Sequence, residues 1–259
     1  MKYTVLLISC LFWGGISFSA IADRYPVRSG GSIVAPADAE IITDQQGLDT
    51  TLTEVSGEPD PTVEGIWVSE KGGIYYVPYK DGFVSMDDWG DMDADALMEA
   101  YVRGAKEQSE LIGEKIEVLG WGVSPSLSKD KAVAYYAVKA RFGDEDPIMN
   151  MVVYKLGRYG YEEITYAADP VMPEEAEKTA LILANSFEFG ENATYSDFKD
   201  GDKVAAIGAA GLLAGAFGVK FGKAGLIAMA LVFFKKFWFL ILIPFVGILG
   251  YIKRRFSRA

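Results

Sequence analysis

Histidine is absent from the 259 residues, and Cys10 is the single cysteine. Without imidazole there is no Ser–His–Asp triad, no Cys–His nucleophile and no histidine metal ligand. Removal of an N-terminal leader ahead of Asp23 would take Cys10 with it, which excludes disulfides and zinc–thiolate centres from the mature chain. Carboxylate, lysine, tyrosine and serine chemistry are what remain. Charge is also missing in places. All 36 acidic residues fall between positions 23 and 202 with 15 of the 25 basic ones, a net charge of −21 over that stretch. A body this acidic presents no clustered basic face to a phosphate backbone, so nucleic acid is not expected as a partner.

What is present begins with an export signal. Lys2 is a short positive region, residues 3–18 are largely apolar, and Ala20-Ile21-Ala22 places small residues before Asp23, as a cleaved signal peptide over 1–22 requires. Leu7-Ile8-Ser9-Cys10 resembles a lipidation box, but the apolar run before Cys10 is too short and continues beyond it. Cleavage after Ala22 is the preferred reading. Residues 23–62 are small, polar and acidic and read as a flexible acidic arm, with one strand near 39–43. Residues 63–200 read as a compact periplasmic domain.

Within that domain, Ile66-Trp67-Val68 and Ile74-Tyr75-Tyr76-Val77 flank Gly72-Gly73 as in a hairpin. A helical pattern follows at Leu97, Tyr101, Gly104 and Leu111. Runs at 116–121, 132–141, 148–156 and 161–167 are rich in tyrosine and β-branched residues and read as strands joined by short turns, which favours antiparallel pairing. A last helix over 174–187 lines up Ala176, Ala180, Leu183 and Phe187. The expected fold class is α+β: an antiparallel sheet with packed helices in an exported head, followed by a C-terminal membrane-anchoring helical segment.

Three groups of residues invite chemistry. Asp87, Asp88, Asp91 and Asp93 are the metal candidates, because alternating aspartates resemble a calcium loop. An EF-hand, however, would need glycine at Ala96 and glutamate at Val102. The preferred reading makes Asp93 a helix cap, with Asp95 near the positive end of the helix. Ser126 and Lys129 satisfy Ser-x-x-Lys, but no Lys-Thr-Gly partner exists, and a polar turn accounts for them. Glu162 and Glu163 are adjacent, so in a strand they point to opposite faces and form no acid/base dyad; neighbouring carboxylates on a surface strand are expected. No catalytic residue and no cofactor site is assigned.

The tail reads differently. Gly208, Gly211, Gly215, Gly218, Gly222 and Gly225 recur at steps of three and four, one stripe on a helix over 203–234. Glycine costs about 1 kcal/mol relative to alanine in a helix interior. In lipid that cost is offset if the stripe lets backbones approach, which is how helices associate where leaving lipid gains nothing. A solvated linker is the rival reading, but Leu212, Leu213, Phe217, Leu226 and Ile227 are too apolar for one. Residues 237–252 carry no charge and form the expected transmembrane helix. Lys235 and Lys236 flank its entry, Lys253, Arg254 and Arg255 its exit, and a basic tail runs over 253–259. Those exit charges favour a cytoplasmic end, although a two-crossing hairpin also fits.

Residues 84–95 after the Asp81-Gly82 turn, Gly120-Trp121, Leu156-Gly157-Arg158 with Gly160, Tyr195-Ser196-Asp197-Phe198, and above all "DKVAAIGAAGLLAG" with "FFKKFWFLILIPFVGILGYIKRRF" carry a resemblance. The chain resembles a family of bacterial membrane-anchored proteins with a domain of unknown function, DUF2167. The likeness runs from about residue 65 to the C-terminus. It departs at 124–131, where relatives tend to have a Tyr-Asp turn and a histidine, which lowers any catalytic role for that turn. The resemblance implies a topology and no mechanism.

Two classes of function are therefore expected. One is a non-catalytic interaction or scaffold protein of the bacterial inner membrane. Its head faces the periplasm, it self-associates as a homo-oligomer in the lipid bilayer through the glycine stripe, and it meets an envelope protein partner. The other is a carboxylate-dependent periplasmic enzyme or cation-binding module on a membrane anchor.

Overall fold

The computed structural model describes residues 22–216, except 57, 70, 71, 114 and 169–174. Nearly all of the expected signal peptide, the transmembrane helix, the basic tail with Lys235, Lys236, Lys253, Arg254 and Arg255, and Gly218, Gly222 and Gly225 lie outside the described residues.

Seven strands form the main sheet, and every pairing in it is antiparallel. They are β3 (Glu40–Ile42), β4 (Gly65–Ser69), β5 (Gly72–Tyr79), β6 (Ile116–Ser128), β7 (Val133–Phe142), β8 (Ile148–Leu156) and β9 (Tyr161–Ala168), in the order β3-β4-β5-β9-β8-β7-β6. A smaller sheet joins β1 (Ala22–Pro26), β2 (Ser32–Pro36) and β10 (Phe187–Glu188) in the order β1-β2-β10. The helices are α1 (Gln45–Ser56), α2 (Ala94–Ile112), α3 (Ala176–Asn185) and α4 (Ala209–Ala216). The α+β class, with antiparallel sheets and few helices, is what the strand-rich, turn-punctuated sequence implied.

Residues 23–62 are not a flexible arm. They supply β1, β2, β3 and α1, and Ile33 and Ala35 of β2 and Leu48 of α1 are fully buried. The small apolar run of β2 pairs with β10, while Leu48 and Leu52, one helical turn apart, join a cluster with Ile66, Val68, Tyr75 and Val77. Acidic composition hid an apolar stripe that has partners only in tertiary structure.

Both faces of the main sheet are covered. Register makes the assignment: Tyr76 pairs with Ile164 and Ile164 with Val153, so these three share a face, and Val77, Glu163 and Tyr154 share the other. On the first face Ile74, Tyr76, Val153 and Ile164 pack with Ile33, Ala35 and Phe187 of the small sheet and with Ala176, Ala180 and Leu183 of α3. On the second, α1 covers β4 and β5, while Leu97, Tyr101 and Ala105 of α2 and Leu212 and Leu213 of α4 cover β7 and β8. The outer strand β6 shifts register against β7 in three places, at Val118/Gly120, Trp121/Val123 and Val123/Ser126.

The β8–β9 turn depends on Gly160. Its carbonyl accepts from Gly157 N at 2.8 Å, and an added Cβ would land on the Tyr79 carbonyl at the end of β5. Gly160→Ala is expected to destabilise the fold by about 2–3 kcal/mol. Gly90→Ala, with nothing within 4 Å of the new methyl, should change little. Urea unfolding of the two variants checks both.

Candidate functional site

The aspartate cluster marks a junction between the head and the glycine-rich segment. Asp87 and Asp88 open a 3-10 turn over Asp87–Asp91, and Asp87 accepts from Ser85 Oγ at 2.8 Å. Asp88 reaches α4: its Oδ1 accepts from Ala210 N at 3.1 Å and its Oδ2 from Gly211 N at 3.0 Å. The Ser85 carbonyl accepts from Ala209 N at 2.7 Å. Three successive first-turn N–H groups of α4, donors that a helix start leaves without intrahelical partners, are thus satisfied by the head. Asp93 caps α2 by accepting from Ala96 N at 3.0 Å. Among the described residues no three acidic side chains converge closely enough to hold a metal ion.

Gly208 and Gly211 are where this junction needs close approach. A Cβ on Gly208 would run into the Asp88 carboxylate, and one on Gly211 would come to 3.1 Å from Ile207 Cβ and 3.5 Å from Asp88 Oδ2. The first two glycines of the stripe therefore admit the head's own carboxylate, and Gly215 follows on α4. Neighbouring contacts lock the same neck. Phe83 N donates to the Lys203 carbonyl and Ala205 N to the Phe83 carbonyl, both at 2.8 Å. The Phe83 ring lies 4.4 Å from that of Tyr195 and 4.0 Å from that of Phe198. Arg158 binds Asp202 through two nitrogens, at 2.7 and 2.9 Å.

Ser126 lies within β6, its hydroxyl donating to the Ser124 carbonyl at 2.9 Å, whereas Lys129 begins the 3-10 turn that follows.

Glu162 and Glu163 are not surface carboxylates. They sit on β9, the middle strand of a sheet covered on both sides, so either direction leads into a packed layer. Glu162 is 1% exposed, and among the described residues its Oε1 has no hydrogen-bond partner. Burial drives its carboxyl well above the carboxylate range, and the nearby charges of Glu64 and Glu163 add to the shift. Glu64 is itself fully buried and held by Ser29, whose N donates at 2.7 Å and Oγ at 2.6 Å. Lys155 pairs directly across from Glu162 but turns its ammonium to the carbonyls of Ala184 at 2.9 Å and Phe187 at 2.5 Å. Burial lowers Lys155 to about 8.

Glu163 faces the opposite layer. It keeps partial solvent access, yet lost hydration pushes its carboxyl up to about 7 against a hydrogen bond from Thr165. The surrounding rings are tyrosines: Tyr79 and Tyr161 stack at 4.6 Å and 15°, and Tyr154 meets Tyr161 edge-on at 5.6 Å. A signal for both glutamates was available in the sequence, since β9 carries Tyr161 beside Glu163 on one side and Ile164 and Tyr166 beside Glu162 on the other, large side chains that need a packed layer on each face.

An antiparallel α+β domain whose main sheet is covered on both faces, and which grips the first turn of the short apolar helix α4, is the class of protein defined here. The family profile "Protein of unknown function (DUF2167)" matches residues 29–246, and the chain belongs to that family. Comparison with curated proteins gives no match. Among solved structures, the cyanobacterial PsbP (CyanoP) of Synechocystis sp. PCC 6803 is 13% identical, covering 71% of this chain and 98% of its own at a TM-score of 0.37. The Saccharomyces cerevisiae Ran-binding protein Mog1p is 12% identical, covering 70% and 100%, at 0.34. Likenesses this distant carry no functional argument. Among the described residues no helix is long and apolar enough to cross a membrane.

Two measurements test the site. Asp88→Ala should cost about 1–2 kcal/mol of stability by removing a helix cap, read from the unfolding midpoint of the intact chain. The buried glutamates give a pH dependence of definite sign. Their folded carboxyls hold protons to higher pH than the ordinary value of 4.5, so the folded state binds more protons above that pH. Stability is then full below about pH 4.5 and falls as pH rises through about 7, with Glu162 extending the loss further. Glu162→Gln and Glu163→Gln should each raise the thermal midpoint at about pH 8 and leave it nearly unchanged at about pH 5.

Proposed function

We propose that this protein is a non-catalytic interaction or scaffold protein of the bacterial inner membrane. Its α+β head faces the periplasm, and it self-associates through the glycines beyond the neck. The observation that carries the reading is the seating of α4: Asp88 and Ser85 accept from its first-turn N–H groups, and Leu212 and Leu213 are buried in the head. Such a neck ties the start of α4 to the head instead of leaving it on a loose linker, which supports a protein that presents a surface.

Because Gly208 and Gly211 already lie against Asp88, we take the later glycines of the stripe, Gly218, Gly222 and Gly225, as the self-association seam. Small residues at those steps permit close helix approach in lipid. The basic residues beyond 252 support a cytoplasmic C-terminus and hence an exported head. The missing histidine and the acidic head support an interaction role over catalysis and over nucleic acid.

The test replaces Gly218, Gly222 and Gly225 together by leucine and measures chemical cross-linking in native membranes. Loss of the cross-linked oligomer, with the head's proteolytic pattern unchanged, is the expected result. An unaltered oligomer ladder removes the seam, and release of the wild-type protein from vesicles by alkaline carbonate removes the anchor.

A further inference from the structure

The cover on the first face of the main sheet is held by polar side chains as well as by apolar contact. The hydroxyls of Tyr76 on β5 and of Ser186 after α3 are hydrogen-bonded at 2.7 Å. Lys80 Nζ donates to the Ser29 carbonyl at 3.1 Å, and Glu64 accepts from the same residue. Lys155 makes the tie to α3 and β10. From β8 its ammonium donates to the carbonyl of Ala184 in the last turn of α3 and to that of Phe187, the first residue of β10. The last carbonyls of a helix lack intrahelical partners and carry its negative end, so a cation there is favoured. One side chain of the sheet thus fastens two elements of the cover.

The same ammonium has a second acceptor beside it. Glu162 stands directly across from Lys155 in register and on the same face, a placement that puts the two Cβ atoms about 5 Å apart. That carboxyl is 1% exposed, and among the described residues its Oε1 accepts no hydrogen bond. The other charged groups around the pair are Glu64, Glu163 and Lys80, which act on Glu162, and Glu188, which acts on Lys155. Of these, Glu64 accepts from Ser29, and Glu188 is bound by Arg24 through two nitrogens, at 2.8 and 3.0 Å. Tyr76 remains a neutral phenol, because burial pushes it above its ordinary value. Carbonyls on the cover and a carboxyl on the sheet therefore compete for one buried ammonium, and a carboxyl becomes the stronger acceptor once it is charged.

We propose that Lys155 is a two-position clasp: while Glu162 is protonated the ammonium holds the α3–β10 junction, and when Glu162 ionises it turns to that carboxylate and the junction loosens. The direction follows from the burial of Glu162. Its carboxyl keeps the proton above the ordinary value of 4.5, so the clasped form is complete at low pH and is lost as pH rises through the raised value. Burial lowers Lys155 to about 8, whereas a charged Glu162 acts to raise it, so the ammonium is kept as Glu162 gives up its proton. The clasp goes beyond the scaffold reading and does not depend on it.

The experiment follows hydrogen–deuterium exchange of the full chain in detergent micelles between about pH 5 and about pH 9, with rates corrected for the intrinsic pH dependence of amide exchange. Amides of residues 180–188, spanning the end of α3 and β10, are expected to lose about tenfold protection or more over that range, while those of α2 lose less. Glu162→Gln cannot ionise and keeps the side-chain shape, so protection should stay high throughout. Lys155→Met should leave the junction weakly protected at every pH. A wild-type profile that does not change with pH overturns the clasp, and so does an equal loss in α2, which marks global loosening. Persistence of the fall in Glu162→Gln overturns it too, because the proton then comes from another group such as Lys155 itself. These outcomes decide the matter even where Lys155→Met does not fold, and a folded Lys155→Met that retains the wild-type response rules the clasp out.

Discussion

Covering a seven-stranded sheet on both faces leaves its middle strand no solvent side, and this constraint governs much else in the head. β9 is that strand, flanked by β5 and β8. Six of its neighbours' residues, Tyr75, Val77, Val152, Val153, Tyr154 and Leu156, are buried, as the double coverage requires. Carboxylates placed there lose hydration whichever way they point. Glu162 goes to the side of the small sheet, where burial first and the charge of buried Glu64 second disfavour its ionised form. Glu163 goes into the tyrosine layer, where part of its surface stays exposed. Adjacent residues with one side chain type thus occupy unlike environments, and alternation along a strand is what separates them.

The second organising feature is the neck. A helix start leaves its first N–H groups without intrahelical partners. Here the head supplies the acceptors through Ser85 and Asp88, and the aromatic contacts of Phe83 with Tyr195 and Phe198 brace the loop that carries them. Gly208 belongs to the same arrangement, because a side chain there would occupy the space of the Asp88 carboxylate. An acid cluster that resembles a cation loop in one dimension is a backbone receptor in three.

Local signals were legible in the sequence, and tertiary ones were not. Strands β4, β5, β7, β8 and β9 follow tyrosine-rich and β-branched runs closely, and Asp93 before an apolar 3.6-residue pattern marks the start of α2. The segment 23–62 was misread because Ile33, Ala35, Leu48 and Leu52 are too sparse to signal a core until β10 and β4 are beside them. Glu162 and Glu163 look like surface residues when the pair of charges is taken by itself. Their strand neighbours, apolar on both sides, held the correction. Asp88 could not have been placed, since its partners lie 122 and 123 positions away.

The edges of the main sheet have a consequence of their own. β3 contributes only three residues at one side, and β6, thirteen residues long at the other, is broken by its register shifts. A flat, unbroken rim would offer a row of free amides to any stray strand, but bulges twist that rim away and a stub gives little to hold. Copies at high concentration accordingly find little at these borders to zip onto, and crowding meets a rim that resists growth into a continuous ribbon.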